Sequence, residues 1–135
     1  MEMKRNVDLG LLILRVSLSF ILMFHGVAKL RDGVSFITNL LSEKGLPEFI
    51  AYGSYFGELI APFLVLLGYR TKLFAGFIAG NMFVVIYLAH MNELFTLNQY
   101  GGWAVELPAL FFFGALSLMF TGGGKFAVSS KSILD

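Results

Sequence analysis

The sequence predicts an all-α membrane protein, a bundle of four transmembrane helices with a short amphipathic helix between the first and the second. Three observations carry this. Only 14% of the 135 residues are charged, against about 25% in soluble chains, while 57% are hydrophobic and the mean hydropathy is +0.77. Four apolar segments, at about 9–30, 48–69, 72–91 and 103–121, each approach the ~20 residues that cross ~30 Å of hydrocarbon. The links leave no room for a soluble domain, so residues 1–135 are read as one membrane domain. Helices follow because backbone polar groups in lipid must be satisfied within each segment.

The first segment reads LGLLILRVSLSFILMFHGVAKL. Lys4 and Arg5 precede it as they would a signal peptide. The run is long, contains Arg15, and reaches Lys29 without a small-residue cleavage site, so a retained helix is expected. Ser17 and Ser19 can bond back to their own helix. In the link that follows, Val34, Ile37 and Leu41 recur at helical spacing, Asp32 can cap the start, and Gly45 and Pro47 end the run. This predicts a short helix lying on or re-entering the membrane surface.

The second segment carries Gly53, Gly57 and Ala61, and the third Gly76 and Gly80. Small residues four apart allow close helix approach. Pro62 is expected to kink the second helix. The turn at Tyr69–Lys72 makes helices two and three an antiparallel hairpin. Asn81 is read as an interhelical hydrogen-bonding residue, Tyr87 as core, and Phe111, Phe112 and Phe113 as facing lipid and neighbours.

Orientation follows from the cations in the links. Lys4, Arg5, Arg70, Lys72, Lys125 and Lys131 gather with the termini, against Lys29, Arg31 and Lys44 on the other side. Both termini are therefore expected in the cytoplasm, with Tyr52, Tyr55, Tyr100 and Trp103 near the outer interface.

An arginine in hydrocarbon costs roughly 3 kcal/mol or more, so the cations of the first helix need an answer elsewhere. At ~1.5 Å per residue, His25, Lys29, His90 and Glu106 share an outer level, with Glu58 below them and Arg15 deeper still. His25 and Lys29, four apart, lie on one helix face. The expectation is that Arg15 and Lys29 are the charge partners, Arg15 pairing with Glu58, and Lys29 or a histidine with Glu106.

His25, Glu58, His90 and Glu106 are then candidates for ligand binding or a proton relay. Histidine titrates near neutral pH, and a carboxylate beside it suits proton transfer. Such a pocket can hydrogen-bond a quinone head group. Two imidazoles at one level can also serve a metal or haem, but no close local ligand pair supports this, so neither is expected. The alternative is an ion-paired core that only fixes helix register. A net charge of +1 invites no nucleic acid. The absence of cysteine excludes dithiol redox chemistry by this chain alone.

At these residues the chain resembles the DoxX family of small four-helix bacterial membrane proteins. Phe24-His25-Gly26 with Lys29-Leu30 is similar to the family's first-helix motif, Gly57-Glu58 to its second-helix acid, and Leu67-Gly68-Tyr69-Arg70-Thr71 to its glycine-to-arginine turn, here with Arg before Thr. His90 resembles the third-helix histidine. Gly101-Gly102 with Glu106, and Thr121-Gly122-Gly123-Gly124 with Ser129, resemble the start of helix four and the terminal glycine turn. The resemblance implies the bacterial inner membrane and quinone-linked redox chemistry, since family members include a thiosulfate:quinone oxidoreductase subunit. It leaves open whether the chain is itself catalytic. With no cysteine, electrons would have to be held by a protein partner or a bound cofactor. Other readings are a membrane scaffold or assembly factor, and a small-solute or proton pathway built from a homo-oligomer.

Overall fold

The computed structural model describes residues 4–135. Its helices are α1 (Val7–Asp32), α2 (Ser35–Glu43), α3 (Glu48–Leu67), α4 (Thr71–Ala89) and α5 (Glu106–Thr121). No strand forms among the described residues beyond an isolated bridge between Leu97 and Trp103. Helices α1, α3 and α4 are long and apolar enough to cross a membrane. Helix α5 has 16 residues, about 24 Å at the α-helical rise. It starts at Glu106 instead of near 103 because Leu97–Trp103 fold into a tight loop. Within that loop Asn98 Oδ1 accepts from Tyr100 N (2.9 Å) and Gly102 N (3.0 Å).

The four longer helices form a ring, each packed on its neighbour in sequence, with α5 closing on α1. Leu22, Val65, Ile78, Met82, Ala115 and Leu118 are the centre of the core. Many large side chains point outward, among them Phe20, Phe24, Phe83, Leu110 and Phe120, as a lipid-facing surface requires. Helix α2 packs at one end of the ring, where buried Leu41 joins Val34, Ala51 and Leu88. Phe36, on the same helix, is exposed.

Helix α3 is irregular. It opens as a 3₁₀ turn over Glu48–Tyr52 and passes through a wide π turn at Phe56–Ile60. Pro62 is the cause. It has no N–H, so the Glu58 carbonyl four residues earlier loses its helical partner. Ala61 N bonds to Phe56 O across the widened turn instead, and such π turns are frequent at functional sites. The Glu58 carbonyl lies against Gly26 of α1, where a Cβ would stand 2.5 Å from that oxygen and 2.5 Å from Leu59 Cγ. Gly26→Ala is therefore expected to push α1 from α3 and cost about 1–3 kcal/mol, in the range of overpacked cores. Gly80→Ala, in open space, should leave the thermal unfolding midpoint within about a degree or raise it, since alanine favours helix. Gly53 also meets nothing, so of the glycine pairs expected to bring helices together it is Gly57, against Asn81, that does so most closely.

The opposite end of the ring is closed by the chain after α5. Leu134 O accepts from Lys72 N (3.0 Å) and Leu73 N (3.3 Å), two of the free donors at the start of α4. Val128 N and Ser129 N donate to Leu67 O and Gly68 O at the end of α3. Arg70, in the left-handed region at φ 48°, donates to Ser132 Oγ (2.6 Å).

Asp135 fastens this segment, accepting from Ser129 Oγ and Ser132 N. The Ser129 hydroxyl is the main cause that holds the Asp135 carboxyl below its ordinary value, with Ser132 N next. A depressed carboxylate stabilises the fold above its unfolded pKa, and that contribution fades as pH falls through the folded value. The midpoint gap between the parent and Asp135→Asn should be constant near neutrality and shrink only below about pH 4. Thermal unfolding across that range checks it.

Arg15 departs from the expectation that it pairs with Glu58. It is 1% exposed, and its guanidinium donates to Val65 O (3.1 Å), Leu66 O (2.6 Å) and Phe126 O (3.2 Å). The reason is depth. Glu58 lies opposite Gly26, eleven residues and about 16 Å along α1 from Arg15, beyond the side chain's reach. The last carbonyls of α3 are short of helical partners, Val65 O keeping a cap bond from Gly68 N (3.0 Å), and they carry the negative end of its dipole; Arg15 caps them.

Candidate functional site

Lys29 and Glu58 form the ion pair at the heart of the site. Both sit where α1 and α3 approach at Gly26, and the π turn in α3 aims the carboxylate across that contact. The side chain of Glu58 is 4% exposed and that of Lys29 22%. Burial of the acid raises its need for a partner, because an uncompensated charge in a dry interior is costly. Tyr55 OH donates to Lys29 O (3.1 Å) and steadies the same turn of α1.

The pair faces a cavity of about 330 Å³ between α1, α3, α4 and α5. Its ionisable lining is His25, Lys29, Glu58 and His90, and Leu22, Met82, Val85 and Phe111 supply apolar walls. Phe111, read from sequence as facing lipid and neighbours, is 6% exposed and meets the His25 ring edge-on at 5.9 Å. A mostly apolar cleft with a few convergent polar groups is the usual form of a small-molecule site, and this volume is near the lower end of the ~300–1,000 Å³ range.

His90 ends α4, and its Nδ1 lies 3.2 Å from Glu93 Oε2. When Glu93 accepts from Nδ1–H, Nε2 is left as the acceptor. Glu93 is the residue that sequence reasoning missed. It falls in the loop after the third apolar segment, and its signal was the three-residue spacing from His90.

Glu106 takes a different place from the other three candidates. It is the first residue of α5, does not line the cavity, and accepts from Asn98 Nδ2 (3.3 Å). Its carboxylate fills the space beside Gly102, where a Cβ would meet Glu106 Oε2 at 2.6 Å. Glu106 thus braces the 97–103 loop and pairs with neither Lys29 nor a histidine. Lys29 takes Glu58 instead.

A second cavity of about 160 Å³ adjoins the first and shares Lys29, Val85 and His90 with it. Asn81 lines it, and Asn81 Nδ2 is buried without a hydrogen-bond partner among the described residues. No group of three or more His, Cys, Asp or Glu residues that could hold a metal ion occurs among the described residues.

The model of the DoxX family matches residues 10–91, which takes in Arg15, His25, Lys29, Glu58 and His90. Over 120 residues, 89% of this chain and 84% of the relative, the sequence is 28% identical to a Bacillus subtilis (strain 168) protein named "Putative oxidoreductase CatD". No solved structure matches.

Proposed function

The chain belongs to the DoxX family, and on that premise we propose that it is a multi-pass protein of the bacterial inner membrane whose Lys29–Glu58 cavity binds a quinone head group. In this reading α1, α3, α4 and α5 all span the bilayer, both termini are cytoplasmic, and α2 lies at the outer surface. The protein serves as a subunit of a quinone-linked oxidoreductase system. The family match and the similarity to CatD support an oxidoreductase setting. The observation that carries the reading is the buried ion pair that opens onto an apolar-walled cavity with two histidines, Lys29–Glu58 beside His25 and His90.

Reduction of a quinone to a quinol takes two electrons and two protons, and an O–H bond forms at each carbonyl oxygen. The ammonium of Lys29 donates a hydrogen bond to a ring oxygen and stabilises negative charge as it develops there. His90, oriented by Glu93, carries one proton between that oxygen and the outer side, and His25, in the same cavity, carries the other to the second oxygen. The chain has no cysteine, so the electrons come from an electron-donating partner.

Titration of the detergent-solubilised protein with a quinone analogue tests this. A lost charge-assisted hydrogen bond is worth about 1.5–3 kcal/mol, so Glu58→Gln and His90→Ala should each weaken binding roughly 10- to 100-fold. If the parent does not bind and both variants are merely less stable, the ion pair is helix glue and the scaffold reading takes its place.

A further inference from the structure

We propose that the second chamber receives the apolar side chain of the bound molecule, so that the ligand is a membrane-soluble amphiphile with a polar ring and a hydrocarbon tail. The proposal rests on the reading of the first cavity as a head-group site and specifies the ligand class for it.

The two chambers are neighbours, with Lys29, Val85 and His90 in the walls of both. Their chemistry differs. The first holds His25 and Glu58 in addition to the shared cation and histidine. The second adds no ionisable group to those two and is walled by Ile37 and Leu40 of α2, Ile50 of α3 and Leu88 of α4. Of its other polar groups, Ser54 Oγ is already committed to Ala51 O (2.7 Å), while Asn81, packed against Gly57, keeps Nδ2 without a partner among the described residues. A ligand that spans both chambers therefore meets Glu58 and His25 at one end, Lys29 and His90 at the junction, and a mostly aliphatic wall with one free amide donor, Asn81 Nδ2, at the other.

The second chamber also has a way out. Its outer wall includes Phe36, 68% exposed, and Ile50, 37% exposed, which place its edge at the surface of the bundle. Helix α2 roofs it, and the chain enters and leaves α2 through Gly33 (φ 83°) and Gly45 (φ 70°), backbone conformations that glycine adopts at least cost. A chamber of about 160 Å³ holds only the first part of a long tail, and the remainder passes beneath α2 into the acyl chains. A tail already dissolved in lipid gains little from the hydrophobic effect itself, so the chamber acts through fit and selects tailed molecules over bare rings.

The test uses the whole protein in nanodiscs and two probes. One is a tailless dimethoxy-methyl-benzoquinone, and the other is the same ring with a diazirine on the first isoprenyl unit. In the parent, photolabelling that the tailless quinone competes away should map to Ile37, Leu40 and Leu88. Competed labelling on Leu107 and Phe111 of α5 instead overturns the proposal while the head-group site stands. Ile37→Trp, which fills the chamber, should weaken the tailed probe about tenfold or more and leave the tailless quinone within twofold. Phe36→Ala, at an exposed position, should also weaken the tailed probe selectively. Equal loss of both probes, or no loss of the tailed one, overturns the proposal. Should the tailless quinone neither bind nor compete, the head-group reading itself fails, and the tail assignment goes with it.

Discussion

Lys29→Met and Glu58→Leu, made singly, are each expected to cost about 3 kcal/mol of stability, and the double variant to recover most of it. The figure is the lower end of the range for breaking a buried ion pair, because Lys29 is 22% exposed and its stranded ammonium can reach some solvent. Glu58 has less relief. With its side chain 4% exposed, loss of Lys29 leaves a buried carboxylate without a charged partner. Replacing both charges with apolar groups removes the desolvation cost as well as the attraction, and such exchanges are often neutral or better. Thermal unfolding of the parent, both single variants and the double variant gives the coupling directly. The double variant then separates the two roles of the pair. It should fold like the parent and fail to bind a quinone analogue if the charges serve a ligand. Binding that survives in the double variant would show that the charges are not needed for it.

Arg15→Ala should be the more damaging single change, at about 3–5 kcal/mol. Three carbonyls lose a charged donor at once, those of Val65, Leu66 and Phe126. Val65 O keeps its bond from Gly68 N (3.0 Å), while Leu66 O and Phe126 O are orphaned among the described residues; an orphaned buried acceptor costs about 1–3 kcal/mol, and hydrogen bonds to charged groups are stronger than neutral ones. Arg15→Lys should recover less than half of the loss, since an ammonium cannot reproduce a planar fork that bridges the end of α3 and the chain after α5. The second readout is local. Without Arg15 the segment 122–135 loses one of its fastenings to the ring, so limited proteolysis there should accelerate in Arg15→Ala more than in Lys29→Met. Equal proteolysis in the two variants would mean that Arg15 does not hold that segment.

These two cations show where sequence reasoning reached and where it stopped. Both were legible as a problem, because a charge inside an apolar run must be answered. Their partners were not legible, because helical periodicity gives a residue's face and approximate depth but not the tilt or the closest approach of neighbouring helices. Assigning Glu58 to Arg15 assumed straight helices in simple register. The structure brings Glu58 level with Lys29 because α1 and α3 meet at Gly26 and because Pro62 widens the turn that carries the acid. Arg15 then answers to backbone carbonyls, which no side-chain pattern announces. Glu106 and Glu93 exchanged importance for a similar reason. Their levels along the chain are alike, and loop geometry decides that Glu106 braces Asn98 while Glu93 meets His90.

The sequence by itself determined that this chain is helical and apolar, with long segments able to cross a membrane and a few ionisable groups carried within them. That information is one-dimensional, residing in composition and in the length of apolar runs, and lipid leaves a backbone few alternatives to the helix. Only the tertiary structure decided which ionisable groups meet. A missing N–H at Pro62, a missing Cβ at Gly26 and the reach of each side chain set those meetings, and each acts across helices that the sequence holds about thirty residues or more apart.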